Sequence, residues 1–256
     1  MHLHIVLAFD PGALDSIEAP ADVIMFPELV SGGYGALRTT GRYLSAADPG
    51  VGRFRAVSRR LHATCIAGSL PLEGARAART NTSLVFRRGR LVHRYDKIHL
   101  FRPAGDERLF TAGSDLGLFR VGPHLRGPRA GTVICYDLRF PELSRFLVRE
   151  GMDILFVPAR WPAVRDEAWR TLLKARAIEN QIFVVGCNAQ GDEGGESYVF
   201  GPDGEQVFST LEAGTAPVHH LTLDMERLAQ ARSWLHTMDD ARFLEKLAVP
   251  RGFRLR

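Results

Sequence analysis

Cysteine is scarce. The 256 residues hold three, Cys65, Cys135 and Cys187, and they lie far apart. An odd count at such spacing excludes a dense disulfide framework and paired metal-ligand motifs, and it fits a reducing, cytoplasmic setting. Long hydrophobic runs are also missing. No apolar stretch approaches the roughly 20 residues that span a bilayer, so no membrane partner is expected. The opening MHLHIVLAFDPG has no basic segment ahead of an apolar core and a small-residue cleavage site, so it reads as a first strand and not as a signal peptide. Repeats, low-complexity tracts and linker-like breaks are absent, and residues 1–256 read as a single domain. Charge of one sign is nowhere concentrated. The net charge of +4 comes from arginines scattered between Arg38 and Arg256 and interleaved with acids, as in RDEAWR. Without a basic block or a zinc-finger, homeodomain or RNA-binding signature, a nucleic-acid partner is not expected, whereas a mild bias toward an anionic small molecule is.

What is present is a series of short runs rich in Val, Ile and Phe, bounded by Gly, Pro or Asp. LHIVLAF, ADVIMFP, TCIAGSL, TSLVFRRG, RLVHRYD, AGTVICY, DILFVPA, IFVVGCNA, SYVFGPDG and VHHLTLD read as strands. Between them VGRFRAVSRRLHA, PELSRFLVREG and DEAWRTLLKARAIENQ carry apolar residues at helical spacing. Alternation of the two kinds predicts an α/β layered fold. RRGR and GPDGE look like hairpin turns, which add antiparallel pairs, so the sheets should be mixed.

Three sites share one design: an apolar strand that ends on a chemically active side chain. ADVIMFPEL ends in Glu28, RLVHRYDK in Lys97 and AGTVIC in Cys135, the last followed by a polar turn and a helix opening near Pro141. Open α/β sheets gather functional groups at strand ends. An acid, an ammonium and a thiol gathered there supply a base, an electrostatic stabiliser and a nucleophile. A strand–helix junction predicts a lowered thiol pKa and backbone N–H groups for an oxyanion. Taken singly, each residue has a plainer explanation: Cys135 as core, Glu28 and Lys97 as solvated strand termini. His99, near Lys97, leaves a Cys–His pair open as an alternative. Cys65 and Cys187 read as core residues, and His219 and His220 should face opposite sides of a strand.

FPEL around Glu28, YDKIHLF around Lys97 and CYDLRFPE around Cys135 resemble, in that order, the nitrilase (carbon–nitrogen hydrolase) superfamily. The resemblance continues through DILFVPARWP, LLKARAIENQIFVVGCNAQG and GPDGE. HLFRPAGDERLFTAG and ARWPAVRDEAWRTLLKARAIENQ are most similar to the omega-amidase branch, which acts on small dicarboxylic monoamides such as 2-oxoglutaramate. The resemblance implies a four-layer α-β-β-α sandwich of two mixed sheets and a Glu28–Lys97–Cys135 triad. It also implies a second glutamate, which falls on Glu107 in GDERLFTAG and positions the lysine and the substrate amide. The expected reaction is hydrolysis of a small carboxamide through a thioester, with the Tyr136 N–H and Lys97 holding the oxyanion. No metal or organic cofactor is expected. Arg160 and Trp161 should border the pocket, Arg160 facing a substrate carboxylate. Asp137, Arg139 and Glu142 should brace the turn, and Arg176 and Glu179 should form structural ion pairs. A homodimer or larger homo-oligomer is implied.

One departure stands out. DPGALDSIEAP is too short for the long helix that usually separates the first strand from the glutamate strand, and Pro11 and Pro20 limit any helix to about two turns. One flank of the sandwich should be thinly covered. Nitrilases, N-carbamoyl-amino-acid hydrolases, acyltransferases and non-catalytic proteins on the same fold remain alternatives.

Overall fold

The computed structural model describes residues 1–74, 77–122, 126–241, 254 and 255. In chain order the strands are β1 (His2–Ala8), β2 (Val23–Met25), β3 (Thr64–Ile66), β4 (Leu70–Glu73), β5 (Arg79–Arg87), β6 (Arg90–Asp96), β7 (Asp115–Leu116) and β8 (Phe119–Arg120). They continue with β9 (Arg129–Thr132), β10 (Ile154–Ala159), β11 (Phe183–Asn188), β12 (Tyr198–Phe200), β13 (Gln206–Ser209), β14 (Val218–Asp224) and β15 (Arg254–Leu255). The α-helices are α1 (Gly33–Thr40), α2 (Pro49–Arg60), α3 (Asp106–Leu109), α4 (Pro141–Arg149), α5 (Asp166–Asn180), α6 (Thr210–Ala213) and α7 (Glu226–Trp234).

Two mixed sheets carry the architecture. The first runs β14-β1-β2-β3-β5-β4, with β6 paired to β5; the second runs β13-β12-β11-β10-β9-β8. Their centres are parallel: β1 with β2 and β2 with β3 in one, β9 with β10 and β10 with β11 in the other. Hairpins close the flanks as RRGR and GPDGE predict. Arg88 and Gly89 both have positive φ, the two-residue turn whose twist matches its strands.

Period-two alternation makes the layers. Ile5 and Leu7 point between the sheets, where they meet Phe156, Val185 and Cys187. Val6 and Ala8 point outward to Leu14 and to Val51, Phe54 and Val57 of α2. On the second sheet Leu155 and Val157 face outward, toward Leu143 and Leu147 of α4 and Trp169, Leu173 and Ala177 of α5. Both strand faces are therefore apolar, and the predicted four-layer α-β-β-α sandwich is the observed one. Each fully buried Leu, Ile or Phe contributes about 1.5–3 kcal/mol relative to exposure, so the three apolar interfaces dominate folding.

The N-terminal flank is as thin as the sequence predicts. Between β1 and β2 lies a single 3-10 turn, Pro11–Asp15, capped by Asp10, whose Oδ1 accepts from the Gly12 N–H at 2.6 Å. Arg60 of α2 fastens it by donating to the Leu14 and Ile17 carbonyls. Cys65 and Cys187 are core residues, and His219 is buried while His220 is exposed, all as predicted. Among the described residues no helix is long and apolar enough to cross a membrane.

One histidine makes stability pH-dependent. His93 of β6 packs its ring against Phe119, and its buried Nε2 has no hydrogen-bond partner among the described residues. Burial pushes its pKa down from 6.5 to about 4. The unfolded chain binds that proton below ~6.5 and the fold does not, so this contribution is present above pH ~6.5 and is lost as pH falls toward 4. Urea unfolding at pH 7 and pH 4.5 should show this loss, about 1–3 kcal/mol. His93→Phe should remove most of it; an unchanged acid dependence in that variant would show that His93 is not its source.

Candidate active site

The carboxyl ends of the central strands meet at one place. Glu28 lies three residues past β2, Lys97 directly past β6, Cys135 three residues past β9 and Arg160 directly past β10. The Glu28 N–H donates to the Ala159 carbonyl at 3.3 Å, joining the strand ends of the two sheets. The predicted strand AGTVICY stops short, at Thr132, and Cys135 opens a 3-10 turn, Cys135–Arg139, with φ of 48°. Leu29, next to Glu28, has φ of 45°. Left-handed conformations at non-glycine residues typically cost about 1–3 kcal/mol each, and here two of them aim the functional side chains inward. Gly68 permits the Glu28 loop to approach: with φ of 54°, an added Cβ would lie 1.9 Å from the Pro27 carbonyl oxygen.

Lys97 is the hub. Its Nζ donates to Glu28 Oε1 at 2.8 Å and to Asp106 Oδ2 at 2.9 Å, with the Tyr34 hydroxyl at 3.5 Å. All three charged side chains are almost wholly excluded from solvent. Burial alone disfavours the ammonium, but Glu28, Tyr34, Cys135 and Asp106 outweigh it and hold the Lys97 pKa well above its ordinary value. Glu28 Oε1 also accepts from Asn81 Nδ2 at 2.8 Å and from the Tyr34 hydroxyl at 3.2 Å. Its Oε2 accepts the Arg160 N–H at 3.1 Å, and the carboxylate lies beside the Cys135 thiol.

The thiol differs from expectation. Burial and the Glu28 carboxylate push the Cys135 pKa well above its ordinary value, against the lowering effect of Lys97 and the Arg160 N–H. A thiolate beside a buried carboxylate is costly, and the short turn that starts at Cys135 does not reverse this. The site is therefore a protonated thiol hydrogen-bonded to a carboxylate, beside a fixed ammonium. This arrangement can move a proton from sulfur to Glu28 when an electrophile arrives.

Two further expectations are corrected. Glu107 is exposed and borders a separate hollow with His99, Arg102 and Tyr136; Asp106 is the buried carboxylate that holds Lys97. Asp106 Oδ2 also accepts the Phe101 N–H at 3.0 Å. The spacing does not separate the two acids, because Asp106 and Glu107 both stand at helical distance from Phe110; the four-residue α3 decides which turns inward. Arg160 borders the hollow over Cys135, but its guanidinium is already engaged. It donates to the Glu28 and Leu29 carbonyls at 2.8 and 3.3 Å and to Glu193 at 3.2 Å. It braces the Glu28 loop. Glu193 itself accepts the Tyr34 and Gly35 N–H groups at the start of α1.

Trp161 borders the hollow, and so do Tyr136, named for its backbone N–H, and Arg139, expected only to brace the turn. Asp137 does that bracing: it accepts from the Ile134 and His99 N–H groups and from the Tyr95 hydroxyl. His99 is held by Asp137 at 2.9 Å and stacked on Phe140, so the Cys–His alternative has no geometric support. Arg176 and Glu179 form the predicted ion pair at 2.8 Å. Tyr34, Asn81, Glu193 and Asp106 are the site residues that sequence reasoning missed. The buried polar run Thr80–Ser83 inside β5 was the available sign of Asn81.

The sequence profile of the carbon–nitrogen hydrolase family matches residues 12–233. An omega-amidase of Escherichia coli strain K12 is 38% identical over 226 residues, covering 86% of this chain and 84% of the relative. A 2-oxoglutaramate amidase of Bacillus subtilis strain 168 is 29% identical over 228 residues, covering 87% and 85%. Among solved structures, a CN-hydrolase superfamily protein of Xanthomonas campestris with an arsenic adduct in its active site matches with a TM-score of 0.79 at 27% identity. That match covers 94% of this chain and 97% of the other.

The thiol's environment is measurable by alkylation. Native protein treated with iodoacetamide should be labelled at Cys135, not at the fully buried Cys65 and Cys187, with a rate that rises along a limb above the ordinary thiol range of ~8.5. Glu28→Gln removes the leading electrostatic cause of the raised pKa, so the limb should move to lower pH; a limb that stays or moves upward contradicts the assigned geometry.

Proposed function

The chain belongs to the carbon–nitrogen hydrolase family, and on that premise we propose that it hydrolyses the terminal amide of a small monoamide to carboxylate and ammonia through a thioester on Cys135. The observation that carries this reading is the buried Glu28–Lys97–Asp106 cluster beside a single thiol that lines a hollow. With Glu28 Oε1 held by Lys97, Asn81 and Tyr34, Oε2 is the oxygen left to act as base. It takes the Cys135 proton as sulfur attacks the amide carbon, and the carbonyl oxygen becomes an oxyanion. The Lys97 ammonium and the Tyr136 N–H stabilise that charge. The protonated Glu28 then donates to the departing amine, ammonia leaves and the thioester forms. Water, deprotonated by Glu28, opens the thioester and restores the thiol. Asp106 keeps Lys97 charged and pointed inward, the part expected of Glu107.

The names of the two curated relatives support a dicarboxylic monoamide of the 2-oxoglutaramate type as substrate. Ammonia release should be measured for the monoamide beside a nitrile and an N-carbamoyl amino acid of the same length, with the monoamide the fastest. Cys135→Ala should lower kcat by at least about 10⁴-fold, and mass spectrometry of the wild type under turnover should find the acyl adduct on Cys135. Asp106→Asn should cost about 100- to 1,000-fold in kcat, whereas Glu107→Gln should stay within about threefold of wild type. The reverse ranking would return the second carboxylate's role to Glu107, and Cys135→Ala at full activity would falsify the mechanism.

A further inference from the structure

Glu193 belongs to no strand or helix, yet it binds both residues that support the base. It lies in the turn after β11. There the Gly194 N–H donates to the Gly191 carbonyl at 3.0 Å, the Gly195 N–H to the Ala189 carbonyl at 2.9 Å, and the Ala163 N–H to the Gly194 carbonyl at 2.9 Å. Glu193 Oε2 accepts the Tyr34 N–H at 3.0 Å and the Arg160 guanidinium at 3.2 Å, and its Oε1 accepts the Gly35 N–H at 2.9 Å. Helix α1 has Gly32 at its N-cap and no side-chain cap of its own, so Glu193 supplies the acceptor from across the fold. Gly33 leaves room for it: an added Cβ there would lie 2.3 Å from Glu193 Oε2. The two residues that Glu193 binds are donors to the two oxygens of Glu28. The Tyr34 hydroxyl donates to Oε1 at 3.2 Å, and the Arg160 N–H to Oε2 at 3.1 Å. The Arg160 N–H also bonds to the Cys135 sulfur, where it favours the thiolate.

We propose that Glu193 is a positioning residue for the reaction: it sets the donors to both oxygens of Glu28 and so keeps that carboxylate aligned with the Cys135 thiol. The inference rests on the amidase reading and deepens it. Alignment matters because a misplacement of about 1 Å, even when caused far from the chemistry, can cost about 100-fold in rate. Without the Glu193 carboxylate, the Arg160 guanidinium keeps only its bonds to the Glu28 and Leu29 carbonyls. The Tyr34 and Gly35 N–H groups lose their acceptor, and α1 loses its hold on the turn. Both donors to Glu28 then gain freedom. Glu193 does not border the hollow over Cys135, so substrate binding there is unaffected directly. The effect therefore falls on kcat and not on KM. The Glu193 side chain is 36% exposed, so its replacement leaves the buried core unchanged.

The test uses glutaramic acid, a five-carbon monoamide, as substrate. Glu193→Ala should lower kcat by about 10- to 100-fold with KM within about threefold of wild type. Glu193→Gln, which keeps an oxygen to accept from α1, should lose less. Iodoacetamide labelling of Cys135 reads the same geometry without substrate. Its rate limb should move to higher pH in Glu193→Ala, because the Arg160 N–H is less well held against the sulfur; this is opposite to the shift expected for Glu28→Gln. Asp192→Asn, at an exposed acid one residue away, should change neither readout. Arg160→Met combined with Glu193→Ala should cost less in kcat than the product of the two single losses, since both act on one donor. Unchanged kcat and limb in Glu193→Ala, or a loss confined to KM, overturns the positioning role and leaves the amidase reading standing. A limb that moves in a protein with no amide turnover keeps the positioning role and rejects the amidase reading. If thermal melts show Glu193→Ala unfolded at the assay temperature, Glu193→Gln carries the same comparison.

Discussion

The contact between the Lys97 ammonium and two carboxylates, Glu28 and Asp106, is the constraint on which the site depends. A lone ammonium in that position would lose several kcal/mol of hydration, and Coulomb attraction to a single partner does not reliably repay it. With two carboxylates and the Tyr34 hydroxyl around it, Lys97 stays charged while hidden from water. The loss of either acid leaves a buried charge short of a partner, so the cluster is cooperative. Its members come from the ends of β2 and β6 and from α3, which fixes how those elements sit against one another.

The sandwich converts that constraint into a site. Parallel strands at the centre of each sheet end on the same side, and the Glu28 N–H to Ala159 carbonyl bond joins the two sheets there. Arg160 then acts as a brace. Its N–H supports Glu28 Oε2, its side chain holds the Glu28 and Leu29 carbonyls, and Glu193 anchors it to the start of α1, which carries Tyr34. Leu29 and Cys135 are held in left-handed conformations within this network. That strain is tolerable because the surrounding bonds over-determine the backbone.

How much of this the sequence revealed follows from what each signal depends on. The α/β layering was legible from alternating strand and helix patterns, and the four layers from the family resemblance; β1, β10 and β11, buried on both faces, fit sheets that are covered twice. Glu28, Lys97 and Cys135 were legible as polar or reactive groups that end apolar strands. Asp106 was obscured because Asp106 and Glu107 are adjacent acids in a loop, and only the four-residue α3 decides which one turns inward. The partners of Arg160 were not legible, since Leu29 and Glu193 are distant in sequence and close only in the fold. The thiol pKa was misjudged for a related reason. The strand–turn–helix pattern displays the local dipoles, whereas burial and Glu28 are tertiary facts.

A raised thiol pKa is compatible with a nucleophilic cysteine once charge is counted over the whole site. With Glu28 and Asp106 as carboxylates, Lys97 as ammonium and Cys135 as thiol, the cluster carries one net negative charge. Loss of the thiol proton to water would make it two, in a place where water cannot help, and this is why the pKa rises. Transfer of the same proton to Glu28 leaves the total unchanged. During attack, ionisation of Cys135 is therefore coupled to Glu28, and it becomes favourable when an amide carbon stands ready to share the sulfur's charge.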